Sequence, residues 1–96
     1  MSAVADFDAG TGCLSFRGEL TIYEAASASE HLCSAFGTGE LRNVDLGGVT
    51  ELDTAGLQIL LLARRLEVPG SETVALVNHS EAVREVFELA GLESQS

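Results

Sequence analysis

Ninety-six residues, 46% of them hydrophobic, with one proline and ten glycines, suit one compact domain with a single modest core and exclude a disordered chain. Fifteen acidic residues against five basic ones give a formal charge of −10. Such a field repels nucleic acid and anionic membrane surfaces; it favours a protein partner with a basic surface, or simply keeps the chain soluble.

Residues 4–8 alternate apolar and polar side chains, "AGTG" supplies a turn, and residues 13–17 alternate again with Leu14 and Phe16 on one face. The pattern predicts a β-hairpin. Next, Thr21 followed three positions later by Glu24 reads as a capping box at the head of a helix. Ile22, Ala25, Ser29, Leu32, Cys33 and Phe36 fall at helical spacing on its buried face, and Gly37 and Gly39 end it. Residues 43–46 read as a short strand and "GGV" as a loop. Residues 55–67 read as a second helix, stopped by Pro69 and Gly70. Residues 73–77 are β-rich. Ser80 caps a third helix whose Val83, Val86, Phe87 and Ala90 share a face, with Gly91 and Leu92 as its Schellman close. Strands alternating with helices of this length predict an α/β layer with part of the sheet parallel.

The residues that could carry chemistry exclude more than they identify. Cys13 and Cys33 form no CxxC pair, and His31 and His79 are scattered, so no metal-ligand spacing is present. Cys33 is expected as a reduced, buried thiol. There is no G-x-S-x-G turn, and the glycines of "DAGTGC" do not lead from a strand into a helix, so hydrolase, dinucleotide and P-loop chemistry lack support. The expectation is a non-enzyme without cofactor or metal; a small hydrolase using one histidine is the remote alternative. The amino terminus lacks a basic segment followed by an apolar run, and the apolar stretch at 59–63 is too short to span a bilayer. A cytoplasmic protein without membrane insertion is expected, as a monomer or weak dimer.

One segment matches a known pattern in order and spacing. "VDLGGVTELDTAGLQILLLARR" resembles the strand-loop-helix signature of STAS domains, the family of anti-sigma factor antagonists, in which a strand ending in Asp and Leu leads through a loop to D-[ST]-x-G-L at a helix start. "GELTIYEAA" is similar to that family's entry into its first helix, and "TVALVNHSEAVREVFELAGL" to its fourth strand, Asn-containing turn and third helix. The resemblance covers residues 4–92. It implies an α/β, STAS-like single domain with a mixed four- to five-stranded sheet and about three helices packed on it. Many relatives continue past the glycine-leucine pair where this chain reads "GLESQS", so a smaller sheet with an exposed edge is expected.

The resemblance also implies a role for Thr54. In this family the Ser or Thr after the Asp, or the residue after that, is phosphorylated by a partner serine/threonine kinase. Here the second slot is Ala55, which leaves Thr54. The partner implied is an anti-sigma factor or serine/threonine kinase. The physical chemistry of the position agrees: helix amino termini offer unpaired amides to a capping hydroxyl and equally to a phosphate. Gly56 is expected to keep that end open. Asp53 and Asp45 are expected to oppose the phosphate or to help orient it through a metal or basic group from the kinase; alternatively, Asp53 is itself the cap and Asp45 a solvated strand end. On the second helix Leu57 and Leu60 are expected in the core. Gln58, Leu61 and Arg65 form either a partner-facing stripe or an ordinary solvated face. D-T-A-G-L also resembles the constitutive STAS subunit of bacterial phospholipid-transport ABC systems, and "LTIY" with "DTAGLQ" is similar to chemotaxis-linked STAS signalling proteins.

Overall fold

The computed structural model describes residues 4–68 and 72–91. β1 (Val4–Asp8) and β2 (Cys13–Leu20) form the antiparallel hairpin, in register from Val4 opposite Arg17 to Asp8 opposite Cys13. Its turn needs glycine at position 12, where φ is 73° and a Cβ would run into the Glu40 carbonyl oxygen. The Gly12 carbonyl accepts the Arg42 and Asn43 amides at 2.7 and 3.1 Å, which ties the hairpin turn to the start of the next strand.

From β2 the chain passes through α1 (Ala25–Gly37) to β3 (Asn43–Leu52), and through α2 (Thr54–Arg65) to β6 (Ala75–Val77). β3 pairs parallel with both β2 and β6, giving the sheet order β1-β2-β3-β6. Two successive parallel crossovers in the same direction along the sheet carry α1 and α2, which touch each other. β4 (Glu67–Val68) and β5 (Glu72–Thr73) make a separate two-stranded ribbon between α2 and β6. α3 (Glu81–Leu89) packs chiefly on β3, which outruns the short β6. The fold is thus α/β with a four-stranded mixed sheet and three helices among the described residues.

One core joins these elements. Leu14, Phe16 and Leu20 of β2, Val44, Leu46 and Val49 of β3, and Leu76 of β6 meet Leu32 of α1, Leu60 of α2, and Val83 and Phe87 of α3, all buried. As read from the sequence, Ser80 caps α3: its hydroxyl accepts the Val83 amide at 3.2 Å, and Gly91 (φ 75°) closes the other end by donating its amide to Glu88.

Four readings are corrected. β3 runs through "GGV" rather than ending at Leu46: Gly48 and Val49 pair with Arg17 and Gly18, and register shifts absorb the extra residues as bulges. Gly48 lies under the Arg17 side chain, so a Cβ there would collide with the arginine stem. Residues 73–77 do not form one strand, because Thr73 belongs to β5 and Ala75 begins β6. α1 begins at Ala25, and Glu24 makes no side-chain cap, so Thr21 and Glu24 do not form a capping box. Finally, the buried stripe of α1 is Ala28, Leu32 and Ala35. Cys33 lies one helical step, about 100°, beyond Leu32 and is exposed as a free thiol. The helix stop at Pro69 and Gly70 and the Leu92 contribution to the α3 close lie outside the described residues.

Candidate functional site at the amino end of α2

β3 passes into α2 through a single residue, Asp53, whose extended backbone (φ −109°, ψ −173°) turns the chain. Its carboxylate is used at both oxygens. Oδ1 accepts the Gly56 amide at 3.0 Å, capping α2, and Oδ2 accepts the Ile22 amide at 2.8 Å, holding the β2–α1 turn. The Asp53 amide in turn donates to the Leu20 carbonyl at 3.4 Å. The Gly56 amide first, and the Ile22 amide next, hold the carboxyl below its ordinary value of 3.8.

Asp53, not Thr54, is therefore the cap. A carboxylate brings two oxygens that reach two separate amides and a full charge at the positive end of the helix, whereas a threonine hydroxyl has one oxygen and no charge. Thr54 is instead the first helical residue and is exposed. Gly56 also differs from expectation: it is buried and does not open the helix end to solvent. A Cβ there would collide with the Leu20 carbonyl oxygen and come within 2.8 Å of Leu52 Cδ1. The glycine lets α2 start directly against the end of β2.

Asp45 lies inside β3, eight residues before Asp53, and does not reach the α2 terminus through any hydrogen bond among the described residues. Its Oδ1 accepts the Gly47 amide at 2.8 Å and the Asn78 side-chain amide at 3.2 Å. Asn78 is in the left-handed region (φ 55°), so this contact fastens β3 to the turn before α3.

On α2 the buried side is Gly56, Leu60 and Ala63, with Leu57 and Ile59 packed partly against the core. Thr54, Gln58, Leu61 and Arg65 follow one another at spacings of four, three and four residues and share the opposite side. Gln58 and Arg65 are exposed, Leu61 is half-buried, and Leu62 beside them is 47% exposed.

Two residues beside this site stand exposed, one of them assigned otherwise from sequence. Ile22, expected on the buried face of α1, is 67% exposed, and Tyr23 is 90% exposed. Both precede α1, in a turn closed by the Glu24 amide donating to the Thr21 carbonyl at 2.9 Å. No sequence signal set them apart, because two adjacent apolar residues fit a helical stripe as readily as a surface turn.

The remaining chemistry-bearing groups are dispersed. His31 is exposed on α1, at the wall of a cavity of about 200 Å³ also lined by Phe7, Leu14 and Ala35. His79 packs edge-on against Phe87, with ring centroids 5.6 Å apart. Burial first, then the Arg64 and Arg84 charges, lowers its pKa below the ordinary 6.5. Among the described residues no cluster of His, Cys, Asp or Glu is placed to hold a metal ion, and no helix is long and apolar enough to cross a membrane.

No curated protein matches the chain. The family model described as "Mlab, STAS domain" matches residues 4–94. STAS domains are generally non-enzymatic binding domains. With the model matching nearly the whole length, the chain belongs to the STAS domain family.

Proposed function

We propose that this chain is a regulatory protein-protein interaction domain of the anti-sigma factor antagonist type. It binds an anti-sigma factor or serine/threonine kinase through the amino end of α2, and phosphorylation at Thr54 switches that binding off. The observation that supports the reading is the division of labour at the helix start. Asp53 takes over the cap, which leaves the Thr54 hydroxyl exposed on the surface and free of a structural task.

A phosphate on Thr54 adds about −1.5 to −2 charge beside a carboxylate that already occupies the Gly56 amide. The fold keeps its cap while the surface presented to a partner changes in charge and bulk. Gln58, Leu61 and Arg65, on the same side of α2 as Thr54, extend the docking surface along the helix. Asp53 and Gly56 support the switch by fixing the helix start; Asp45 supports it at one remove, by holding β3.

The test is incubation with the cognate kinase and ATP, followed by intact mass measurement of the wild type and Thr54→Ala. A phosphate on the wild type alone is expected. Equal phosphorylation of both excludes Thr54 as the acceptor.

Ala55 in the second slot favours a second reading, a constitutive STAS subunit of a phospholipid-transport ABC system that binds its ATPase unmodified; a chemotaxis-linked signalling domain shares the same features. Genes encoding a kinase or sigma factor, an ABC permease and ATPase, or chemoreceptors beside this one separate the three.

A further inference from the structure

We infer that the β2–α1 turn carries an anchor, Ile22 and Tyr23, that docks into a partner protein surface bearing arginine or lysine side chains around an apolar cleft. The inference rests on the docking role proposed for the α2 terminus and names the partner's chemistry.

The first observation is exposure on a turn whose backbone is hydrogen-bonded. Ile22 and Tyr23 are 67% and 90% exposed, and they are adjacent. Large apolar side chains held in water gain most on being buried by a partner, and an exposed tyrosine is among the residues that dominate interface energetics. The Asp53 carboxylate fixes the Ile22 amide and a turn closes at Glu24, so the pair is presented in a preset position and little ordering is lost on binding.

The second observation is charge. Glu24 follows Tyr23 directly, and Glu51 sits opposite Glu19 where β2 and β3 end. The arginines are elsewhere: Arg17 pairs with Asp6, Arg42 bonds the Gly39 and Leu41 carbonyls, Arg64 and Arg65 lie in the last turn of α2, and Arg84 is on α3. Ten helical steps, roughly 15 Å, separate Thr54 from Arg64. A carboxylate next to the apolar pair and another at the neighbouring strand end complement a cationic surface, which both steers the encounter and fixes its orientation. Continuity with Thr54 is direct, because Asp53 is bonded to the Ile22 amide and covalently joined to Thr54.

The experiment measures binding of the full chain to the kinase or ATPase subunit encoded beside it, at low and high salt. The variants are Tyr23→Ser, Tyr23→Phe, Glu24→Gln with Glu51→Gln, and Leu89→Ser as a control on another exposed apolar residue. Thermal melts establish that each is folded. Tyr23→Ser is expected to weaken binding about tenfold or more, Tyr23→Phe to keep most of it, and Leu89→Ser to leave it unchanged. The double glutamine variant is expected to slow association roughly threefold or more at low salt and to lose that effect at high salt. Wild-type binding that survives Tyr23→Ser within twofold, or that does not depend on salt, overturns this inference and leaves the docking role standing. Failure of the wild type to bind overturns both.

Discussion

The Asp53 carboxylate reaches the Ile22 backbone amide at 2.8 Å across thirty-one residues of sequence, while its other oxygen caps α2 at Gly56. One side chain therefore joins the end of β3, the start of α2 and the turn before α1. Asp53→Ala removes both bonds, and the expected cost is about 1–3 kcal/mol in chemical denaturation, from a lost cap and a released amide. Asp53→Asn, with one acceptor oxygen in place of two, is expected to fall between alanine and wild type.

Among the described residues, Asp53 and His79 have pKa values shifted by the fold, and both make stability depend on pH. The Asp53 pKa is lower in the folded chain than its ordinary 3.8. Its stabilisation is present above that value and is lost as pH falls through the lower folded value. His79 is lowered from 6.5, so the unfolded chain takes up the proton first as pH falls. Above 6.5 the ring is neutral in both states and its burial carries no proton-linked cost; below that value the burial becomes increasingly unfavourable. Denaturation midpoints are expected to decline from about pH 7.5 to about pH 5 in the wild type and to stay flatter in His79→Phe, with a second decline at more acid pH in both.

Gly56→Ala tests the close approach of α2 to β2. In an open helix this change stabilises slightly, but here the added methyl meets the Leu20 carbonyl and Leu52. A loss of about 1–3 kcal/mol in unfolding free energy is expected. A neutral result would show that α2 starts further from β2 than described.

Leu60 and Leu62 lie two positions apart on α2 with opposite surroundings, the first fully buried and the second 47% exposed. Leu60→Ala is expected to cost about 2–5 kcal/mol. Leu62→Ala is expected to cost less than about 1 kcal/mol, so it serves as a probe of binding rather than folding.

The hairpin, α2 and α3 were legible because their signals are local: alternation about a glycine turn, and helical spacing bracketed by Ser80 and Gly91. The length of β3 was not, because Gly47, Gly48 and Val49 read as a loop while the partners of Gly48 and Val49, Arg17 and Gly18, lie thirty-one residues earlier. Thr21 and Glu24 satisfied a capping rule that the fold does not use, since the Glu24 amide donates to the Thr21 carbonyl and α1 starts only at Ala25. The choice between Asp53 and Thr54 as cap, which two adjacent hydrogen-bonding residues left open, is decided by the Gly56 amide bonding to the Asp53 carboxylate. The exposure of Ile22 and Tyr23 followed from the delayed start of α1. At the proposed site, Thr54 was nominated from family resemblance and Gln58, Leu61 and Arg65 from helical spacing, and that spacing does put all four on one side of α2. Asp45 was grouped with them by sequence order and lies instead against Asn78.

Calorimetric titration of the unmodified chain and of the Thr54-phosphorylated chain into the partner kinase or anti-sigma factor tests the central claim most directly. The expected result is binding by the unmodified chain and at least about tenfold weaker binding by the phosphorylated one. Equal affinity of the two forms would contradict a switch at Thr54.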